Sequence, residues 1–271
     1  MIRDITLGQY YPAQSVLHRL DPRVKLLGTL IYVLSLFLFQ SFVGYLVATV
    51  FLVSLIILSH VPFSFMIRGL KAILILLIFT SVLNMFLTPG RELVHFWRFK
   101  ITIEGLRLAA FMVLRLVYLI IGSSLMTLTT TPSNLTDGLE KGLGWLKILK
   151  VPVHEIAMMM SIALRFIPIL LEETDKIMKA QLARGADLES GNIFKRIKAM
   201  VPILVPLFIS SFRRANDLAS AMEARCYRGG EGRTKMKPLK YTSRDAVAYL
   251  ILFAYMVVSI SVGRLDALKI M

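Results

Sequence analysis

Val24 to Ser59 reads VKLLGTLIYVLSLFLFQSFVGYLVATVFLVSLIILS, apolar almost throughout. As one helix, at about 1.5 Å per residue, it would measure roughly 54 Å. That is far more than the ~30 Å core of a bilayer. Gln40, Ser41 and Gly44 supply a break. The stretch therefore holds two spans, about 24–41 and 43–60, with an uncharged turn between them that suits an outside loop. Apolar runs elsewhere place a third span at about 67–88, closed by Thr88-Pro89-Gly90, a fourth at about 106–130 and a fifth from Asp245 to Val262.

The rest of the chain agrees. Of its 271 residues 56% are hydrophobic, and mean hydropathy is +0.68, too high for a water-soluble domain. No series of short alternating strands suggests a barrel. The fold class is an all-α polytopic membrane protein with about five transmembrane helices plus a cytoplasmic domain of two long crossing helices. The division falls into a four-span membrane bundle over 1–130, a cytoplasmic region over 131–243, and a last span with its tail over 244–271.

Met1 to Lys25 carries Arg3, Asp4, His18, Arg19, Asp21, Arg23 and Lys25, with no apolar core of a signal peptide. The first helix then anchors directly, with its basic flank in the cytoplasm of a cell-membrane protein. Arg91, Arg98, Lys100 and Arg107 run against that orientation, but the basic excess elsewhere outweighs them. Asp21 is placed to cap the helix, with Pro22 at its first position, where the missing N–H costs nothing.

Net charge is +15, and 19 of the 32 Lys and Arg lie between Thr131 and Asp245 beside 12 of the 17 acids. Such a mixed-charge region suits anionic lipid headgroups or an acidic partner. No basic patch is interleaved with aromatics, so nucleic acid is not an expected partner. Cys226 is the lone cysteine, and His18, His60, His95 and His154 are scattered, so no metal site is expected. A P-loop is absent. The first four spans carry no Asp or Glu. That argues against a self-contained secondary carrier, and against a membrane enzyme acting on lipid or prenyl substrates. No catalytic residue and no directly bound cofactor is expected. Two side chains within the spans stand out as strongly polar: Asn84, suited to bonding a neighbouring helix, and Arg115, suited to facing the bundle interior or a cavity, or else to bonding helix carbonyls or snorkelling.

Within the cytoplasmic region, Ser133 to Val151 is amphipathic and Gly-broken, with Trp145 among leucines and lysines, as in a surface helix. Val153 to Arg184 and about Ile193 to Tyr227 follow as long helical patterns, and the apolar first half of the former, to Pro168, suits either entry into the membrane or packing beneath it. Pro168, Pro202 and Pro206 are expected to kink them. Ser211, Ala215 and Ala219 form a small-residue row along which the two helices can cross as an X. Both patterns close alike, on Ala180-Gln181-Leu182-Ala183-Arg184-Gly185 and Ala221-Met222-Glu223-Ala224-Arg225-Cys226. An arginine at a helix end among alanines can reach into a partner with its planar fork of donors. It can equally ease its own helix dipole. The residues alone leave both open.

Taken with Leu17-His18-Arg19-Leu20-Asp21-Pro22-Arg23-Val24-Lys25-Leu26, Thr127-Leu128-Thr129-Thr130-Thr131-Pro132, Glu155-Ile156-Ala157-Met158-Met159 and Leu164-Arg165-Phe166-Ile167-Pro168, these motifs have a specific order and spacing. They resemble the transmembrane T component of energy-coupling-factor (ECF) transporters, related to the Q component of cobalt transporters. The resemblance covers about Ser15 to Arg233. It implies a non-catalytic scaffold that joins two cytoplasmic ABC ATPases, which bind ATP and magnesium, to a membrane-embedded substrate-binding S component. Uptake of vitamins or transition-metal ions follows. Ala183-Arg184-Gly185 and Ala224-Arg225-Cys226 match the motifs that dock the ATPases. Cys226 departs from the usual glycine, and glycine's freedom at positive φ is lost there. Met158, Met159, Met160, Phe166, Phe208 and Phe212 are expected to face the S component, methionine suiting a surface that re-packs.

Overall fold

The computed structural model describes residues 10–39, 41–89, 92–96, 99–186, 193–230, 236 and 238–270. Gln40, Gly90, Arg91 and Arg98 lie outside them, as do 187–192 of the linker expected over Asp187 to Lys198, whose remainder is helical. Among the described residues eight α-helices follow in order: α1 Pro22–Leu38, α2 Phe42–Ser59, α3 Phe63–Leu87, α4 Ile103–Thr129, α5 Pro132–Gly142, α6 Val153–Ala183, α7 Ile193–Ala224 and α8 Ser243–Ile270. The protein is an all-α polytopic membrane protein, with one small exception. The connection after α3 contains an antiparallel pair, β1 Glu92–Phe96 and β2 Phe99–Thr102.

By length and composition α2, α4, α6 and α8 can cross a bilayer, and α3 makes a fifth if its halves count as one. α3 starts before the expected 67 and bends by 62° between Phe63–Lys71 and Ile73–Leu87, just after Gly69. The first helix is 17 residues and stops at Leu38. It stops because Phe39 turns extended, and the Arg115 guanidinium from α4 takes up the Phe39 carbonyl (3.3 Å) while bonding the Tyr45 hydroxyl (3.2 Å). Arg115 thus serves helix carbonyls, one of its expected uses. Asn84 instead bonds within its own helix, to the Thr80 carbonyl (2.9 Å).

Contacts divide the chain into two units, Gly8–Lys141 with Leu239–Met271, and Gly142–Pro238. In the first, α1 packs on α4 and α8, α3 lies on α4, and α2 touches α4 and α8. Its core is built from Tyr32, Leu36, Tyr45, Ala48, Leu52, Ile121, Leu125 and Tyr255. Phe51 stacks on Tyr255 at 4.0 Å, and Gly122 lets α4 approach the Tyr32 ring so closely that a Cβ would overlap it. At the end where α1 and α8 both begin, Asp21 accepts from the Arg23 N–H (2.9 Å), the expected cap. The Asp21 N–H in turn donates to Asp245 (2.8 Å), which also accepts from the Thr242 N–H and hydroxyl. Lys25 donates to the Thr129 carbonyl (2.8 Å), satisfying the end of α4.

α5 belongs to this first unit: Gly138 lies against Pro22, and Thr136 is buried. The second unit is led by a 3-10 turn over Gly144–Leu149 and consists chiefly of α6 and α7. Both helices continue through their prolines, Pro168 in α6 and Pro202 and Pro206 in α7.

Candidate docking site

The two arginine motifs end their helices in the same way. At the first, Arg184 occupies the cap position. The Gly185 N–H donates to the Leu182 carbonyl (3.0 Å), and the Ala186 N–H reaches back to Gln181 (3.0 Å). At the second, the Cys226 N–H donates to Glu223 (2.8 Å) and the Tyr227 N–H to Met222 (3.1 Å). Each is a Schellman ending, which needs a left-handed residue right after the cap. Gly185 supplies it at φ +84 and Cys226 at φ +55. The cysteine therefore adopts the glycine conformation despite its Cβ, and the helix ending is preserved. Arg184 and Arg225 hold equivalent positions, both exposed. Among the described residues neither guanidinium has a hydrogen-bond or ion-pair partner.

α6 and α7 run antiparallel. The Gln181 amide donates to the Pro202 carbonyl (3.3 Å), Glu173 pairs with Arg214 (3.1 Å), and Ile162 and Phe166 share a groove with Leu218 and Met222. The first of these contacts follows from the prolines. Pro206 has no N–H to give to the carbonyl four residues before it, so the Pro202 oxygen is left for Gln181. The expected small-residue row does face the partner helix, since Ser211, Ala215 and Ala219 line that groove with Phe166 and Leu170. Antiparallel pairing puts the arginines at opposite ends of the hairpin. From Pro202, near the first tip, to Arg225 is roughly 35 Å of helix at ~1.5 Å per residue.

The Arg225 end opens on a cavity of about 700 Å³, lined by Met158, Arg165 and Phe166 of α6, Met222 of α7, and Arg225 and Arg228. The segment after α7 closes one side. Gly230 lies against the His154 ring, where any Cβ would collide. The six residues assigned to an S component divide. Met158 and Phe166 turn toward α7, whereas Met159, Met160, Phe208 and Phe212 are exposed. Phe208 and Phe212 touch each other at 4.7 Å between ring centres and continue an exposed apolar row with Phe194, Ile197, Val201 and Val205. That row has the spacing of one helix face. Its beginning was missed in the sequence because Lys195 and Lys198 interrupt it. Among the described residues no cluster of three His, Cys, Asp or Glu could hold a metal ion.

The family model described as cobalt transport protein, CbiQ, matches residues 13–236. The chain belongs to this family. It is 59% identical to the energy-coupling factor transporter transmembrane protein EcfT of Clostridium kluyveri, over 96% of this chain and 97% of that protein. The EcfT proteins of Thermosediminibacter oceani and Bacillus subtilis are 55% and 50% identical, over 92% and 90% of this chain and 94% and 93% of their own lengths. The chain is thus a multi-pass transmembrane component of the energy-coupling-factor transporter kind.

Proposed function

We propose that this chain is the non-catalytic scaffold of an ECF-type importer. Its hairpin docks two cytoplasmic ATPases, which carry ATP and magnesium, and transmits their movement to a membrane-embedded S component that binds a vitamin or a transition-metal ion. The N-terminus and the hairpin lie in the cytoplasm.

The observation that carries this reading is the pair of matching helix endings, each presenting an exposed arginine, at opposite ends of one antiparallel hairpin. Dipole compensation alone explains an arginine near a helix end. It does not explain two exposed arginines, without partners among the described residues, held at the same cap position by the same backbone turn. A rigid tip of this kind suits insertion into a groove, with a bidentate bond to a carboxylate or to the end of a helix. Closure of the ATPases would shift the two tips relative to each other, and a helix pair joined along its length would convert that shift into tilt or rotation. The exposed row from Phe194 to Phe212 and the exposed Met159 and Met160 then meet the moving S component.

The test is a co-purification. The full chain is expressed with a cognate ATPase pair and extracted in mild detergent, as wild type and as Arg184→Glu/Arg225→Glu. The ATPases should follow the wild type and be lost from the double variant, with equal membrane insertion of both. Equal recovery of the ATPases would remove the docking role from these tips.

A further inference from the structure

The membrane unit contains a second feature that the docking reading leaves unused. An apolar crevice of about 180 Å³ lies among the lead to α1, α1 itself, α2, α4 and α8. Phe51, which stacks on Tyr255, lines it. From Phe51 α2 runs toward Ser59, and α8 begins at Ser243. Leu58 of α2 and Val247 and Ile251 of α8 line it and are also exposed, so it opens sideways onto the surface that faces lipid.

Inside its rim the crevice has no unbonded polar donor for water among the described residues. Of its polar lining groups, Lys25 is bonded to the Thr129 carbonyl, Thr29 to the Lys25 carbonyl, Tyr32 to the Tyr118 carbonyl, and Thr129 to the Leu125 carbonyl. A cavity without free polar partners does not hold ordered water. One of about 150 Å³ lined by apolar side chains stays dry and accepts a hydrocarbon guest.

The remaining polar lining residue is Arg244, exposed and, among the described residues, without a partner. It stands in the first turn of α8, where a cation is opposed by the helix dipole. Its neighbour Asp245 is occupied by Asp21 and Thr242 and cannot answer it. An anion at the mouth of the crevice would.

We propose that this crevice holds one acyl chain of an anionic phospholipid, with the lipid phosphate on Arg244. Hydrocarbon fills the dry space, and the headgroup charge meets the one free cation at its rim among the described residues. The lipid then wedges α2 from α8 below the Phe51–Tyr255 contact. The site depends on the membrane unit alone, so it stands or falls separately from ATPase docking.

The full chain, purified in mild detergent with equal phosphatidylglycerol and phosphatidylcholine, is examined by native mass spectrometry. The wild type should retain one lipid, enriched in phosphatidylglycerol. Ala248→Phe, which fills the crevice from α8, should lower retention by about tenfold or more. Arg244→Gln should keep the lipid but lose the preference between headgroups. If Ala248→Phe fails to insert, Leu55→Phe fills the same space from α2 and takes its place. A wild type without retained lipid, a filled variant that retains lipid as the wild type does, or an unchanged preference in Arg244→Gln would overturn the proposal.

Discussion

The membrane unit and the hairpin bury their side chains to very different degrees. Leu36, Phe39, Ala48, Met66 and Leu128 are all but inaccessible in the first, and some of its buried polar groups bond between elements far apart in sequence, such as Asp21 with Asp245 and Ser35 with Tyr255. In the hairpin the buried apolar residues among those described are Val153, Ala157 and Ile203, and open space remains between its helices at Phe166 and Ala215. Phe194, Phe208 and Phe212 are 82%, 65% and 58% exposed. Apolar surface on that scale is left for something else to cover. The membrane unit holds a packed interior of its own, whereas the hairpin leaves most of its large apolar side chains exposed.

The sharpest way to break this contrast is charge reversal at the tips. Arg184→Glu or Arg225→Glu should each abolish transport by the assembled complex, since truncating a buried arginine anchor costs roughly 2 kcal/mol or more and reversal costs more still. Thermal unfolding of the purified chain should not change. Transport at the wild-type rate, or a matching loss of stability, would show that the tips are structural.

Core and surface apolar residues should behave oppositely. Leu36→Ala removes a wholly buried side chain and should destabilise by about 2–5 kcal/mol, read as a fall in Tm. Phe208→Ala should stay within about 0.5 kcal/mol in the isolated chain while impairing transport. Comparable losses of Tm would mean that the hairpin has a hidden core.

The turn at Cys226 offers a smaller probe. Cys226→Gly removes a left-handed strain of about 1–2 kcal/mol and should slow amide exchange at Tyr227, whose N–H closes the turn. Cys226→Val should speed it. Unaltered exchange in both would mean that the two endings are not equivalent. Gln181→Leu should cost about 1 kcal/mol by leaving the Pro202 carbonyl without its donor, visible as faster exchange in the last turn of α6.

The smallest effect lies in the lead to α1. His18 bonds Ser15 (2.7 Å) and the Tyr11 carbonyl (3.0 Å), and burial lowers its pKa below the ordinary 6.5. The unfolded chain then binds more protons, so this contribution is complete above about pH 6.5 and fades as pH falls below it. His18→Gln should flatten that acid-side slope in a melting series.

The sequence made local features readable and distant ones not. Asp21-Pro22 announces a helix start because capping acts over three residues, and the Ser211-Ala215-Ala219 row declares its contact face by spacing alone. The Asp21–Asp245 clasp spans more than two hundred positions and leaves no local trace. Cys226 was legible as a departure from glycine but not as a residue forced to φ +55 by the two bonds around it. In the Met158-Met159-Met160 run, composition concealed orientation: only the first turns toward α7. The helix-period series Met158, Ile162, Phe166 would have separated it from its neighbours.

Hydrogen–deuterium exchange on the full chain, alone and bound to the ATPase pair, tests the central contrast most directly. Alone, α6 and α7 should exchange much faster than α1 and α4. With the ATPases bound, protection should appear first at 180–186 and 221–227, leaving the membrane unit unchanged. A hairpin already as protected as the membrane unit, or protection that spares both arginine ends, would contradict it.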